Sequence, residues 1–270
     1  MQLISFQTFS WSGRYQVVLT ACRSTVVGVV VSMGNLLSNV TYVDTLDKCV
    51  SALQRIIRDS VIAVDCEGAA LGVNGVISLI QIARTNGEVY VFDIFQHGEF
   101  LYVSEFRSIL ESSNILKVMH DCKADYANLF TQFQIRLTNI FDTTVAHYEI
   151  GSYYDGIKLR GIPTIGLNKL CEIYGAPKHA TKDMFKDIYK SRPYFWLDRP
   201  LTKDMLDYAA EDVSCLVPHL YNAMMKKCNK QLEYNIIESS TTYSTYLIRN
   251  IIGISRYTRP NIVPQVQTPK

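Results

Sequence analysis

Val61-Ile62-Ala63-Val64-Asp65-Cys66-Glu67-Gly68 decides how the chain is read. Four apolar residues in a row, β-branched at three of the four, predict a short strand buried on both faces. The strand delivers Asp65, Cys66 and Glu67 at its end, where the backbone leaves the core. One residue separates the two acids, so in extended geometry they point to the same side. Upstream, Asp44 is placed to cap a helix with Leu46, Val50, Leu53 and Ile57 at helical spacing. Downstream, strands are expected at Ile77 to Ala83 and Val89 to Phe92, joined by the turn cluster Thr85, Asn86 and Gly87. A helix near Glu105 to Glu111, a strand at Ile115 to Met119 and a helix near Ala124 to Phe133 continue an α/β alternation. After Phe141 the pattern is largely helical, over 143–150, 166–174, 182–190 and 202–221, with Pro218 interrupting the last segment.

The chain has 270 residues, 48% of them apolar, which supplies a core and excludes disorder throughout. Only 14 glycines and 8 prolines exclude a collagenous or linker-rich architecture. The net charge of +2 announces no global basic field. Seven cysteines, an odd number without a C-x-x-C pair, predict reduced and mostly buried thiols in a cytoplasmic protein, with the nucleus as the alternative. The apolar stretch from Tyr15 to Met33 contains Arg23, Ser24 and Thr25 at its middle, so it is read as β structure rather than a membrane span. Three regions are expected: a short β-rich segment over 1–41, a main domain over 42–235 and a partly disordered Ser/Thr-rich tail over 236–270.

Four carboxylates fall where predicted elements present them at one edge of the sheet. Asp65 and Glu67 end the first core strand, and Asp125 opens the helix after the strand 115–119. Asp212 lies four residues after Tyr208, which puts phenol and carboxylate on one helical face. Taken singly, each has a plain structural reading: Asp125 complements a helix dipole and Asp212 is an exposed acid beside a half-buried tyrosine. Taken together, clustered carboxylates repel, and a fold tolerates them mainly around a hard divalent cation. Oxygen donors suit Mg²⁺ or Mn²⁺, while a zinc site needs Cys or His at ligand spacing, which is missing. Two such ions can activate water and stabilise the leaving oxygen in phosphodiester cleavage.

Asp65-Cys66-Glu67-Gly68, His120-Asp121-Cys122-Lys123-Ala124-Asp125 and Tyr208-Ala209-Ala210-Glu211-Asp212 resemble, in order, the three motifs of the DEDD 3′-5′ exonuclease superfamily, in its tyrosine-bearing, ribonuclease D-like subgroup. Val43-Asp44-Thr45-Leu46-Asp47-Lys48-Cys49, Ile140-Phe141-Asp142-Thr143 and Phe195-Trp196-Leu197-Asp198-Arg199-Pro200-Leu201-Thr202 look like the branch of piRNA-pathway exonuclease-domain proteins and Egalitarian. The resemblance covers roughly residues 42 to 225. It implies a ribonuclease-H-like α/β fold with a mixed five-stranded sheet flanked by helices. It also implies roles: Asp65 bridging two ions, Glu67 and Asp212 completing the site of the first, Asp125 holding the second, and Tyr208 positioning the attacking water. All five residues are present, whereas some members of the branch lack the acids and are thought to bind RNA without cutting it. The resemblance also implies a fuller Sm-like domain ahead of the exonuclease domain, and residues 1–41 read either as a truncated remnant of it or as an error in the gene model.

Between residues 158 and 203 there are ten Lys or Arg and four Asp or Glu, a local +6 beside the last acidic motif. On a helix Lys182, Lys186 and Lys190 form one cationic stripe able to follow a phosphate backbone, or a solvated face partly paired with Asp183 and Asp187. Tyr189, Tyr194, Phe195 and Trp196 add aromatic surface, with Phe195 and Trp196 read as core anchors. His120, Asp121 and Cys122 are sequence neighbours whose side chains diverge, so a nucleophilic cysteine is disfavoured. Gly68 allows either a close approach of substrate backbone or a tight turn. The resulting expectation is a metal-dependent 3′-5′ exonuclease acting on single-stranded RNA, with DNA as an alternative substrate. The competing reading is a silent RNA-binding adapter in a piRNA or mRNA-transport complex. Small-RNA pathway proteins and a second copy of the chain are the other partners considered, and no membrane is expected.

Overall fold

A computed structural model describes residues 39–156, 161–182, 185, 188 and 191–249. The strands expected before residue 39, the end of the tail after residue 249, and Lys186 and Lys190 lie outside the described residues. Six strands form one mixed sheet in the order β1-β4-β3-β2-β5-β6. They are β1 (Val40–Val43), β2 (Val61–Ala69), β3 (Val76–Arg84), β4 (Val89–Asp93), β5 (Leu116–Met119) and β6 (Ile140–Asp142). The β2, β3 and β4 pairings are antiparallel, while β1 on β4, β5 on β2 and β6 on β5 are parallel.

One strand more than the expected five is present. Four residues long, β1 carries almost no periodic signal, and what fixes it is distant in sequence. It pairs with β4 from Val40↔Val89 to Val43↔Phe92, and the Tyr42 hydroxyl donates to Asp93 Oδ2 at 2.6 Å. The three residues of β6 are equally silent, held as they are by pairing with β5. The central hairpin matches its turn signal: Gly87 takes a φ of +92°, and Arg84 N donates to Glu88 O at 2.8 Å.

Helices cover both faces, as an α/β sheet with buried strands requires. Residues Ile62, Val64 and Cys66 of β2 pack with the helices Leu46–Ile56, Ser104–Leu110 and Lys123–Phe133. Ala63 faces the opposite layer, which contains the helices Leu167–Tyr174 and Lys203–Ser214. The first helix is phased differently from expectation. Its cap is Thr45, not Asp44, and Cys49, Ala52, Leu53 and Ile56 are buried while Leu46, Val50 and Ile57 are exposed. Asp44 instead pairs with Lys48 across one turn at 2.7 Å.

The segment expected as one helix over 202–221 is two. Thr202 caps the first, Lys203–Ser214; Val217 then adopts an extended conformation (φ −122°, ψ 139°), as the residue before Pro218 must, and Tyr221–Met225 resumes. Ordered structure also runs past residue 236, where the tail was expected to begin. Asn229 caps a helix over Lys230–Ser244 whose Ile236, Ser240, Tyr243 and Ser244 are buried. The Ser/Thr content read as loose is used for contacts: Ser240 Oγ accepts from Asp142 N at 3.0 Å, and the Tyr243 hydroxyl donates to Asp121 Oδ1 at 2.7 Å. Among the described residues, no helix is long and apolar enough to cross a membrane.

Candidate active site

Strand β2 does not end at Val64 but continues to Ala69, so Asp65 and Glu67 are strand residues. Because Ala63 packs into the layer of helix Lys203–Ser214, alternation aims Asp65 and Glu67 at that helix. The register with β3 slips between Glu67 and Gly68, a bulge at the point where the acids leave the ladder. Gly68 is needed for chain packing there. A Cβ at this position would collide with the carbonyl oxygen of Val76 and lie 2.8 Å from Leu71 Cδ2.

Helix Lys203–Ser214 presents Tyr208 and Asp212 one turn apart, both buried. Burial of Asp212 corrects its plain reading as an exposed acid. Carboxylate oxygens of Asp65, Glu67 and Asp212 all lie within 4.8 Å of one another. Asp125, in the first turn of helix Lys123–Phe133, stands beside this trio but outside its 4.8 Å set. Burial, reinforced by the charges of Asp125 and Asp212, pushes the Asp65 carboxyl well above its usual range. Burial and the neighbouring Asp212 and Asp65 do the same to Glu67. Asp125 is pushed up to about 7, chiefly by burial. These are acids that the fold holds close against their mutual repulsion.

Asp212 alone moves the other way: burial opposes its charge, but hydrogen bonding to His179 and the charge of Lys182 outweigh it and hold it below the usual range. Lys182 Nζ donates to Asp212 Oδ1 at 2.5 Å and stands 5.0 Å from the centre of the Tyr208 ring. The sequence reading missed His179. Its buried ring places Nδ1 2.9 Å from Glu211 Oε2 and Nε2 3.1 Å from the Tyr208 carbonyl oxygen and 3.5 Å from Asp212 Oδ1. Burial disfavours its charged form, yet hydrogen bonds to Asp212 and Glu211 raise its pKa. No periodicity links residue 179 to residues 208–212, so only the fold reveals this contact.

The Tyr208 ring is boxed by His179 at 4.6 Å, Phe185 at 4.5 Å and Trp196 at 5.8 Å between ring centres. Trp196 is 2% exposed, and Ser78 Oγ donates to its carbonyl oxygen at 2.5 Å, which makes it the core anchor expected. The loop ahead of Asp125 is fixed from β6: Asp142 Oδ2 accepts from Cys122 N at 2.8 Å while Oδ1 caps the next helix through Thr144 N and Val145 N. Cys122 is buried and its thiol is pushed well up by desolvation, the opposite of a poised nucleophile. Of the three lysines of the expected stripe, Lys182 is described and faces the acids rather than solvent.

A 3′-5′ exonuclease family model, DNA_pol_A_exo1, matches residues 39–229, a span that holds all four acids and Tyr208. Mouse piRNA biogenesis protein EXD1 is 33% identical over 171 residues, covering 62% of this chain and 30% of that protein. The Egalitarian protein homolog of Caenorhabditis elegans is 25% identical over 195 residues, covering 70% of this chain and 34% of the relative. The chain thus spans about a third of the length of these relatives. Trypanosoma brucei RNase D, solved in complex with RNA U12, superposes with a TM-score of 0.64 at 22% identity, covering 83% of this chain and 75% of that one, a likeness of fold. With the ordered acids on an RNase D-like sheet and the family model spanning most of its length, this chain belongs to the 3′-5′ exonuclease domain family.

Proposed function

We propose that this chain hydrolyses phosphodiester bonds one nucleotide at a time from the 3′ end of single-stranded RNA, using two divalent cations. The observation that carries the reading is the convergence of Asp65, Glu67 and Asp212 oxygens within 4.8 Å, with Tyr208 one turn from Asp212. The donor set fits Mg²⁺ or Mn²⁺: it is all carboxylate oxygen, and two of its members are pushed toward protonation even with the Lys182 ammonium beside them. Asp65, Glu67 and Asp212 would hold one ion and Asp65 with Asp125 the second. Bound there, the ions would supply an activated water and neutralise charge on the phosphate and the leaving oxygen.

The protein's own groups account for the rest. Tyr208, its ring boxed by His179, Phe185 and Trp196, has little freedom and is suited to orient a water by a hydrogen bond. His179 ties the Tyr208 carbonyl to Glu211 and Asp212, so the tyrosine and the acid keep their relative position. The +6 segment between residues 158 and 203 gives the RNA backbone a cationic approach, with Lys186 and Lys190 as further phosphate contacts. RNA rather than DNA is favoured by the names of the relatives: a piRNA biogenesis protein and an RNase D seen with RNA U12. A small-RNA pathway is the corresponding setting.

The test is shortening of 5′-labelled RNA, and of the matching DNA strand, with and without Mg²⁺, by wild type, Asp65→Asn and Asp212→Asn. Laddering of RNA that needs Mg²⁺ and vanishes in both variants is expected. Cleavage indifferent to metal or to both substitutions would refute the assignment; tight RNA binding without shortening, even in Mn²⁺, would favour the adapter role.

A further inference from the structure

We propose that Lys182 is the resident counter-ion of the acid cluster, a cation built into the chain that is exchanged for the divalent ion and is thereby released toward the substrate. The inference rests on the metal site proposed above. Lys182 belongs to the basic segment, yet its ammonium is turned to the acids, whereas Lys169, Lys178, Arg192 and Lys203 of the same segment are exposed. It donates to Asp212 Oδ1 at 2.5 Å, its side chain is 32% exposed, and its charge acts on Asp65 and Glu67 as well as on Asp212. The same three acids form the only group of candidate ligands found among the described residues.

A hard cation binding the carboxylates would take the charge that the ammonium now uses, and two cations sharing so small a cluster repel each other. A lysine suits the exchange. Its flexible four-carbon stem lets the head group leave without moving the backbone, and a single ammonium makes a weaker claim on carboxylates than a bidentate guanidinium. In its present place the head group lies 5.0 Å from the centre of the Tyr208 ring; once expelled it stays tethered at residue 182, close to the site, where a substrate phosphate is its natural next partner. The chain would then fill its own acid cluster when no metal is bound, and present a new positive charge only when loaded.

Two measurements on the whole chain test this without relying on turnover. The first is Mn²⁺ titration followed by electron paramagnetic resonance. Lys182→Met should bind Mn²⁺ about tenfold more tightly than wild type, because no internal cation has to be displaced, while Lys182→Arg should bind no more tightly than wild type. The second is labelling of wild-type lysines by an amine-reactive reagent with mass-spectrometric readout, in which Lys182 should be protected in EDTA and become several-fold more reactive in Mn²⁺. Equal or weaker Mn²⁺ binding by Lys182→Met, or labelling of Lys182 unmoved by Mn²⁺, would overturn the exchange while leaving the metal site intact. Failure of the wild type to bind Mn²⁺ at all would remove the metal site and the exchange together.

Discussion

Replacing Asp125 by Asn should make the metal-free protein more stable and the enzyme worse, and the size of the first effect follows from the site. The side chain is 6% exposed, and burial together with the charges of Asp121, Asp142 and Asp212 lifts its pKa to about 7. An acid bound more weakly to its proton in the unfolded chain than in the fold costs stability as pH rises. The native state is fully favoured below about pH 4, loses ground from there through pH 7, and carries the full deficit above it. Three pH units at 1.36 kcal/mol each set a ceiling of about 4 kcal/mol. Water and dipoles relax around an ionised acid, so we expect about 1–3 kcal/mol of that to appear as added stability of Asp125→Asn at pH 8. Asn keeps the shape and an oxygen acceptor, so little else changes. The assay is urea unfolding in EDTA at pH 8 and pH 5, where the advantage should shrink to about a third. In the same preparations, Mg²⁺-dependent RNA shortening should fall by about 100-fold. A variant no more stable than wild type at pH 8, or equally advantaged at both pH values, would refute the reasoning that the fold holds this acid against its own interest.

Two further outcomes are expected. Tyr208→Phe keeps the ring among His179, Phe185 and Trp196 and removes only the hydroxyl, so it should cut the cleavage rate by about 100-fold while thermal unfolding stays within a few degrees of wild type; single-turnover kinetics beside a melting curve decide it. Arg199→Ala strips the bidentate partner from fully buried Asp93, whose oxygens accept from Arg199 at 2.7 and 2.6 Å, and should cost about 3–5 kcal/mol in urea unfolding. A loss below about 1 kcal/mol would show that Tyr42 and water suffice for Asp93.

The sheet's centre and the acids were legible because both depend on local pattern. The apolar run 61–64, the turn at 85–87 and the spacing of Tyr208 and Asp212 each express one element's period, and the fold repeats them. Where expectation and structure differ, a partner distant in sequence decides. Pairing with β4 makes Val40–Val43 a strand, and contacts to Asp121 and Asp142 keep residues beyond 236 helical. The same holds in the site. Lys182 belongs by spacing to a solvent-facing stripe, but Asp212 draws it inward. His179 carries no pattern at all, because its three contacts to the helix that holds Tyr208 and Asp212 lie 29 to 33 residues away.

Helix Lys230–Ser244 begins one residue past the end of the family match at residue 229. Yet its Ser240 and Tyr243 hold Asp142, which accepts from Cys122 N, and Asp121, so both contacts bear on the turn that leads into Asp125. A truncation drawn at the end of that match would keep every acid and lose the brace behind one of them. A ligand or tether that pulled on this helix would therefore have a remote handle on the turn ahead of Asp125, through two hydrogen bonds.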